Sequence, residues 1–162
     1  MNAIVAVDEN WGIGNRGELL AHISADLRRF KELTTGHSVI LGRKTLATFP
    51  GGKPLPGREN LIMSTTMDRA PEGAKVFRDL ASLLAYAPAD SFVIGGETVY
   101  RSLLPYCHRV YLTRIHRVFT SDAFFPDLDS LPEWELTQAE GPLEENGLTF
   151  SYLTYTRREE KR

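Results

Sequence analysis

One carboxylate in this sequence borders a pattern of apolar residues that is typical of a buried helix face. Leu27, Phe30 and Leu33 recur every three residues, which is helical spacing. Asp26 precedes Phe30 by four residues, so its side chain borders the same face. An ion buried without a cationic neighbour costs on the order of several kcal/mol. We therefore expect a partner or a ligand to offset this cost, which makes Asp26 the first candidate for chemistry.

A structural explanation of Asp26 also fits the local pattern. Ser24 is a residue type that favours helix N-caps, which would put Asp26 in the first turn of the helix. An acidic side chain there complements the partial positive charge of the helix N-terminus. The other charged residues of this segment are expected to point to water; they are Arg28, Arg29, Lys31 and Glu32.

Two further candidates are strand-to-helix turns that carry glycine. Gly42 follows a short apolar run and precedes Arg43, Lys44 and Thr45, whereas Ile94 leads into Gly95, Gly96, Glu97 and Thr98. In open α/β sheets, ligands bind beyond the carboxyl ends of the strands, and helix N-termini attract anions. The two turns could hold the two ends of one extended phosphorylated cofactor. The alternative is that each glycine only makes a tight connection.

Residues 12–17 match the pattern G-x-G-x-x-G, but we do not interpret them as a dinucleotide fingerprint. That mechanism requires a helix to start within the motif, whereas Asn15 and Gly17 favour a turn and the next helix is expected near Ser24. A flexible loop over an active site fits better. The four histidines lack metal-ligand spacing and no G-x-S-x-G motif is present, so no metal site and no hydrolytic nucleophile are predicted.

The elements that must position these residues alternate along the chain. Strands are predicted at residues 3–7, 38–42, 61–64, 75–77, 91–94 and 110–115, with helices starting near Ser24, Arg43, Asp79 and Glu97. Residues 134–139 and 148–156 read as a hairpin around Asn146 and Gly147. The predicted fold is α/β, with a mostly parallel central sheet flanked by helices and an antiparallel C-terminal edge. We expect one domain over residues 1–158 and a charged tail at 159–162.

Composition narrows the class of protein. The chain has 162 residues and a net charge of −2, which predicts no affinity for nucleic acid or for anionic membranes. Its single cysteine excludes an internal disulfide. The N-terminal residues do not resemble a signal peptide and no apolar run approaches the ~20 residues of a membrane span, so a cytoplasmic protein is expected.

Seven segments in order resemble dihydrofolate reductase of the bacterial type, from residue 3 to about residue 158. They are AVD (6–8) with WGIG (11–14), ADLxxFK (25–31), VILGRKT (39–45), PLPGRxN (54–60), VIGG (93–96), YLT (111–113) and DxxFP (122–126). The resemblance implies reduction of 7,8-dihydrofolate to 5,6,7,8-tetrahydrofolate with NADPH, in support of one-carbon metabolism. Dihydrofolate and antifolates are the expected ligands, and a monomer is the expected state.

The resemblance also implies roles for individual residues at the substrate. Asp26 corresponds to the carboxylate that pairs with the 2-amino group and N3 of the pterin, and Thr113 shares this network. Arg58 corresponds to the arginine that binds the glutamate α-carboxylate, a task that suits its planar fork of donors. The other substrate contacts that the resemblance implies are Ala6, Leu27, Phe30 and Leu55.

For the cofactor, the resemblance implies contacts along both glycine turns and the loop over the site. Ala6 and Ile13 would line the nicotinamide, while Arg43, Ser64 and Arg78 would lie near the phosphates, including the 2′-phosphate of NADPH. The complete set of expected cofactor-binding residues is Ala6, Ile13, Gly14, Gly42, Arg43, Lys44, Thr45, Ser64, Thr65, Arg78, Ile94, Gly95, Gly96, Glu97 and Thr98.

The chain departs from the family pattern at three positions. Ala21 stands where a tryptophan usually follows Leu-Pro, which predicts a larger cleft and weaker binding of diaminopyrimidine inhibitors. Thr98 stands where some relatives place a cation near the 2′-phosphate, a charge that Arg78 could supply. Ser121 replaces a glycine in the neighbouring loop. Two alternatives stay open: a reductase of the same fold for a riboflavin-pathway pyrimidinone, and a non-catalytic nucleotide-binding module.

Overall fold

Ten strands and four α-helices are found in residues 1–158, the part of the chain that this computed structural model describes. The strands are β1 (Asn2–Val7), β2 (Gly12–Gly14), β3 (Ser38–Gly42), β4 (Glu59–Met63), β5 (Ala74–Phe77), β6 (Phe92–Gly95), β7 (Arg109–Ile115), β8 (Ala123–Phe124), β9 (Trp134–Glu145) and β10 (Leu148–Arg157). The helices are α1 (Ser24–Thr34), α2 (Arg43–Ala47), α3 (Leu80–Tyr86) and α4 (Glu97–Leu103). The tail predicted at residues 159–162 lies outside the described residues.

Eight strands form one sheet in the order β5–β4–β3–β6–β1–β7–β10–β9. The pairs from β5 to β7 are parallel, whereas β10 is antiparallel to both β7 and β9. Parallel neighbours need crossover connections, and the helices along the chain supply several of them. The predicted fold class, a mostly parallel sheet with an antiparallel C-terminal edge, is confirmed.

The central strands are apolar on both faces because helices cover the sheet on both sides. In β3, Ile40 packs into one core cluster while Val39 and Leu41 pack into another, as the two-residue period of a strand requires. Residues of α3 and α4 pack with the first cluster, and Phe30 and Leu33 of α1 pack with the second. Buried strands of this kind are expected to read as continuous apolar runs.

The start of α1 differs from the prediction. Ser24 is the first helical residue, and the N-cap is Ile23, whose side chain makes no capping hydrogen bond. The amides of Ser24 and Ala25 donate instead to the Glu145 carboxylate, at 2.6 and 3.1 Å. Glu145 is more than a hundred residues away in the chain, so local pattern could not reveal this cap.

Two other local predictions are confirmed. The helix predicted to start near Asp79 is α3, which Asp79 caps by accepting a hydrogen bond from the amide of Ser82 at 2.7 Å. The terminal hairpin turns at Asn146 and Gly147, which have φ values of 50° and 79°, the left-handed conformations that a tight hairpin turn requires. Strand β9 is longer than predicted, since it extends to Glu145.

Residues 12–17 are more ordered than the predicted loop. Gly12–Gly14 forms β2 and pairs with β8, and Asn15 bridges to Glu18. All six of these residues are described, and none of them starts a helix, which agrees with the rejection of a dinucleotide fingerprint. Within residues 1–158, no helix has both the length and the apolar character needed to cross a membrane.

Candidate functional site

Asp26 is the third residue of α1 and faces the sheet. Thr113, on β7, donates its hydroxyl to Asp26 Oδ1 at 2.5 Å. Burial raises the pKa of Asp26, while the Thr113 hydrogen bond and the charge of Arg29 act in the opposite direction. The amides at the start of α1 are bound by Glu145 rather than by Asp26. Asp26 does lie in the first turn, as the structural explanation predicted, but the caps of these amides come from Glu145.

Strand register brings Ala6 and Thr113 together beside this carboxylate. Ala6 of β1 lies opposite Thr113 in the parallel pairing of β1 with β7. Thr113 is 2% exposed, so its hydroxyl is held in one place against the Asp26 carboxylate. A half-buried backbone at Ala6 and a fixed carboxylate therefore meet at the carboxyl end of the central strands.

Apolar side chains flank Asp26 and stay partly open to solvent. Leu27, next to Asp26 in the chain, is 45% exposed. Phe30 and Leu55 are half-buried and pack against the same core cluster from α1 and from the loop before β4. This partly open surface of apolar side chains beside one carboxylate, called the cleft below, suits a flat ligand that carries hydrogen-bond donors.

Arg58 lies in the same loop as Leu55 and is fixed by the backbone around it. Its Nε donates to the carbonyl of Pro56 at 2.9 Å, and its Nη1 donates to Thr34 Oγ1 at 3.1 Å. Burial lowers the pKa of the guanidinium, which nevertheless stays charged. These bonds hold the plane of the donor fork at the end of α1 that is distant from Asp26.

The two glycine turns lie side by side because β3 and β6 are neighbours, with Leu41 opposite Gly95. A Cβ atom at either Gly95 or Gly96 would lie 3.4 Å from Thr45 Oγ1. Gly95 also has a φ of 137°, which favours glycine, and the Gly95–Gly96 peptide is cis. The turns thus leave a backbone-lined cradle that side chains would fill. Ile94 lies at the end of β6, directly before this cradle.

Two arginines reach the loop that follows β4. Arg43 Nη1 donates to Thr66 Oγ1 at 2.8 Å. Arg78 donates to the carbonyls of Thr65 and Met67, at 3.3 and 3.1 Å. Ser64 Oγ accepts hydrogen bonds from the amides of residues 66 and 67. Two cations and several hydroxyls therefore meet at one edge of the cradle, a combination that suits a phosphate group.

Four other predicted cofactor residues have surroundings unlike those of the arginines and hydroxyls above. Lys44 and Thr98 are exposed on α2 and α4. Glu97 accepts a hydrogen bond from the amide of Phe124, so its carboxylate joins α4 to β8. Gly42 lies close to Val99, since a Cβ there would come within 3.2 Å of a Val99 methyl carbon.

Two acidic residues for which no role was predicted organise the loop that carries Ile13 and Gly14. Asp8 is fully buried; its Oδ1 accepts from the amides of Asn10 and Gly12, and its Oδ2 accepts from that of Phe119. Asp122 binds the amide of Arg16 through Oδ2 at 3.0 Å. An aspartate directly after an apolar strand was the signal available for Asp8. Both residues join the loop after β1 to the segment around β8.

Ala21 is half-buried and packs against a cluster that includes Ile23, Ile115 and Phe150. Ser121 lies against Gly12, where a Cβ would come within 2.1 Å of the Ser121 hydroxyl oxygen. In the described residues, no group of three or more potential metal ligands is found.

Known proteins match this chain along nearly its whole length. A family model described as dihydrofolate reductase matches residues 1–157. A dihydrofolate reductase of Bacillus subtilis is 37% identical over 96% of this chain and 93% of its own length. One from Drosophila melanogaster is 35% identical, covering 93% of this chain and 94% of that protein.

A solved structure gives the same result at the level of the fold. Dihydrofolate reductase from Enterococcus faecalis, complexed with NADP(H) and RAB-propyl, superposes with a TM-score of 0.86 and 35% identity. The match covers 98% of this chain and 96% of that one. With a family model over nearly the whole chain and relatives above 30% identity from end to end, this chain belongs to the dihydrofolate reductase family.

Proposed function

We propose that this enzyme reduces 7,8-dihydrofolate to 5,6,7,8-tetrahydrofolate with NADPH, and that Asp26 is the residue that binds and polarises the pterin. The observation that carries the proposal is the Asp26 carboxylate, held by Thr113 and open to an apolar cleft. Family membership supports the reaction, and it does not favour the alternative of a riboflavin-pathway substrate.

Asp26 acts on the ring by accepting hydrogen bonds from the pterin 2-amino group and N3. NADPH, when bound, would supply the hydride for pterin C6, and a proton would be added at N5. Asp26 does not reach N5 in this mechanism; it polarises the ring, and water delivers the proton. Ala6 and Ile13 line the nicotinamide side of the cleft, whereas Leu27, Phe30 and Leu55 enclose the pterin and the benzoyl ring. Arg58 binds the glutamate α-carboxylate.

The cradle between the glycine turns is the place where the chain holds the cofactor. Amides of Gly95 and Gly96 and the hydroxyl of Thr45 would hold the pyrophosphate, since no Cβ of either glycine stands between the backbone and Thr45 Oγ1. Arg43, Ser64 and Arg78 bind the remaining phosphate groups. The other contributors are Gly14, Gly42, Lys44, Thr65, Ile94, Glu97 and Thr98.

An Asp26→Asn variant tests the assignment of Asp26. The amide keeps the shape and loses the charge, so we expect hydride transfer near neutral pH to fall by at least ~100-fold. Acid, or a substrate already protonated at N5, should restore part of the rate. The measurement is single-turnover oxidation of NADPH across a pH series. Wild-type turnover by Asp26→Asn at neutral pH would reject the role of Asp26.

An Arg78→Leu variant tests the phosphate site. Loss of a charge-assisted contact should weaken NADPH binding by roughly ten- to hundredfold and leave NADH binding unchanged, since NADH lacks the 2′-phosphate. Arg101→Leu, at an exposed position on α4, is the control with the same change of charge. Equal effects on the two cofactors, or equal effects of the two variants, contradict the proposal.

The enzyme acts as a monomer in this proposal, because one chain supplies both the carboxylate and the cradle. Light scattering after size-exclusion chromatography tests it, and a dimer at working concentration contradicts it.

The non-catalytic alternative predicts tight NADPH binding without any oxidation of NADPH when dihydrofolate is added. The cytoplasmic location and the lack of nucleic-acid binding stay predictions.

A further inference from the structure

The helical pattern predicted that Arg29 points to water, but its side chain packs against an aromatic ring instead. Its guanidinium carbon lies 4.1 Å from the centre of the Tyr152 ring, and the residue is half-buried. A guanidinium over an aromatic face at this distance is a cation–π contact. Arg28, its neighbour in the chain, is exposed. The two arginines therefore carry the same charge in different environments.

The ring that holds Arg29 belongs to the strand pair that also holds Asp26. Tyr152 of β10 lies opposite Thr113 of β7 in the antiparallel pairing. Thr113 in turn donates to Asp26 at 2.5 Å, and Asp26 precedes Arg29 by one helical turn. Arg29 and Asp26, one turn apart on α1, therefore contact two residues that face each other across β7 and β10.

The other titratable groups around Asp26 do not supply a positive charge. Tyr100, from α4, donates its hydroxyl to the carbonyl of Ile4, and burial strongly raises its pKa, so it is neutral. Burial also raises the pKa of Tyr152. Glu145 and Glu140, on β9, are acidic, and Glu145 is engaged with the amides at the start of α1. Arg29 is the cation whose charge opposes the effect of burial on Asp26.

We propose that Arg29, held against Tyr152, is a positioning residue whose charge keeps the Asp26 carboxylate ionised in the ligand-free cleft and so sets the pH range of hydride transfer. The inference rests on the proposed function, because it concerns the ionisation of the residue that binds the pterin. A cation near the cleft disfavours protonation of every group in it, including pterin N5. Its removal should therefore move the pH profile upward.

The test compares three variants with the wild-type enzyme. Arg29→Gln removes the charge, Arg29→Lys keeps the charge without the planar group, and Arg28→Gln makes the same change of charge at the exposed neighbour. We expect Arg29→Gln to raise the pH midpoint of hydride transfer by roughly half a unit. Arg29→Lys and Arg28→Gln should stay close to the wild-type midpoint.

A second readout does not depend on turnover. The carbon-13 shift of the Asp26 carboxyl, followed by NMR against pH in the ligand-free protein, reports its ionisation directly. It should titrate at higher pH in Arg29→Gln than in wild type. In the wild-type protein the titration should also move upward with added salt, because a half-exposed cation is screened. This last measurement needs no variant to fold.

The outcomes separate the inference from the function on which it rests. If Arg29→Gln matches Arg28→Gln, or if Arg29→Lys shifts as far as Arg29→Gln, charge at position 29 does not control Asp26 and the inference is overturned. An unchanged wild-type titration in high salt overturns it as well. If wild type fails to oxidise NADPH with dihydrofolate, the proposed function fails, while the NMR titration still decides the role of Arg29.

Discussion

In the proposed mechanism, Asp26 binds the pterin, and its burial is a cost to the ligand-free protein. Its carboxylate is half-buried beside apolar side chains, and burial is the largest influence on its pKa, which lies above the ordinary value of 3.8. Thr113 and Arg29 reduce this effect without removing it. A site that is complete only when a ligand donates to the carboxylate is expected to lower stability in the absence of that ligand.

The stability of Asp26→Asn should depend on pH for this reason. Because the pKa of Asp26 is higher in the folded than in the unfolded chain, this group contributes stability that is fully present only below the unfolded value of about 3.8. That contribution is lost as pH rises through the folded value. Asp26→Asn should therefore melt at a higher temperature than wild type near neutral pH, without ligand, and the gain should vanish in acid.

Calorimetry across this pH series checks the prediction against Asp68→Asn, which changes an exposed carboxylate. A melting temperature of Asp26→Asn below that of wild type near neutral pH would show that the carboxylate stabilises the empty cleft. The same variant is expected to lose hydride transfer, so stability and activity should change in opposite directions.

At the scale of the elements, α1 depends on a strand end that is remote in the chain. Glu145, the last residue of β9, binds the first two amides of the helix, whereas the N-cap residue Ile23 offers no side-chain acceptor. A carboxylate at this place satisfies free donors and also complements the helix dipole. The hairpin of β9 and β10 thereby fixes the helix that carries Asp26.

Removal of this cap should destabilise the protein by a measurable amount. We expect Glu145→Ala to lower the free energy of unfolding by about 1 kcal/mol, the usual cost of a lost helix cap. Glu144→Ala, one residue earlier and exposed, is the matched control and should change little. Urea denaturation measures both variants. Equal losses at the two positions would mean that the bonds to Ser24 and Ala25 contribute nothing specific.

At the scale of the whole molecule, one sheet joins the residues of the site. Strand β1 lies between β6, which leads into the glycine cradle, and β7, which carries Thr113. Core clusters on both faces of the sheet contain residues from both halves of it. We propose on this basis that residues 1–158 form one domain that unfolds as a unit.

Substitutions on opposite sides of β1 test this proposal. Leu61 of β4 and Leu112 of β7 are both fully buried, so alanine at either position should cost about 2–5 kcal/mol. Each variant should shift one and the same cooperative transition, followed by fluorescence and by circular dichroism during urea denaturation. Two separable transitions, each sensitive to one variant, would show that the halves of the sheet unfold independently.

The sequence by itself determined eight of the ten strands, most helix positions and the place of Asp26 beside an apolar helix face, because each depends on spacing within about ten residues. The apolar period around Asp26, the glycine turns at 42 and 95–96 and the turn at Asn146 and Gly147 all have this local origin. It did not determine the helix start, where Ser24 is not the cap, or the environment of Arg29.

Only the tertiary structure decided which distant groups meet. Glu145 reaches the start of α1, Tyr152 holds Arg29, and buried Asp8 binds the amide of Phe119. These contacts follow from the order and register of the strands, which bring residues a hundred or more positions apart into direct contact. A local pattern fixes which way a side chain faces along its own element, but the pairing of strands sets the partner that it finds there.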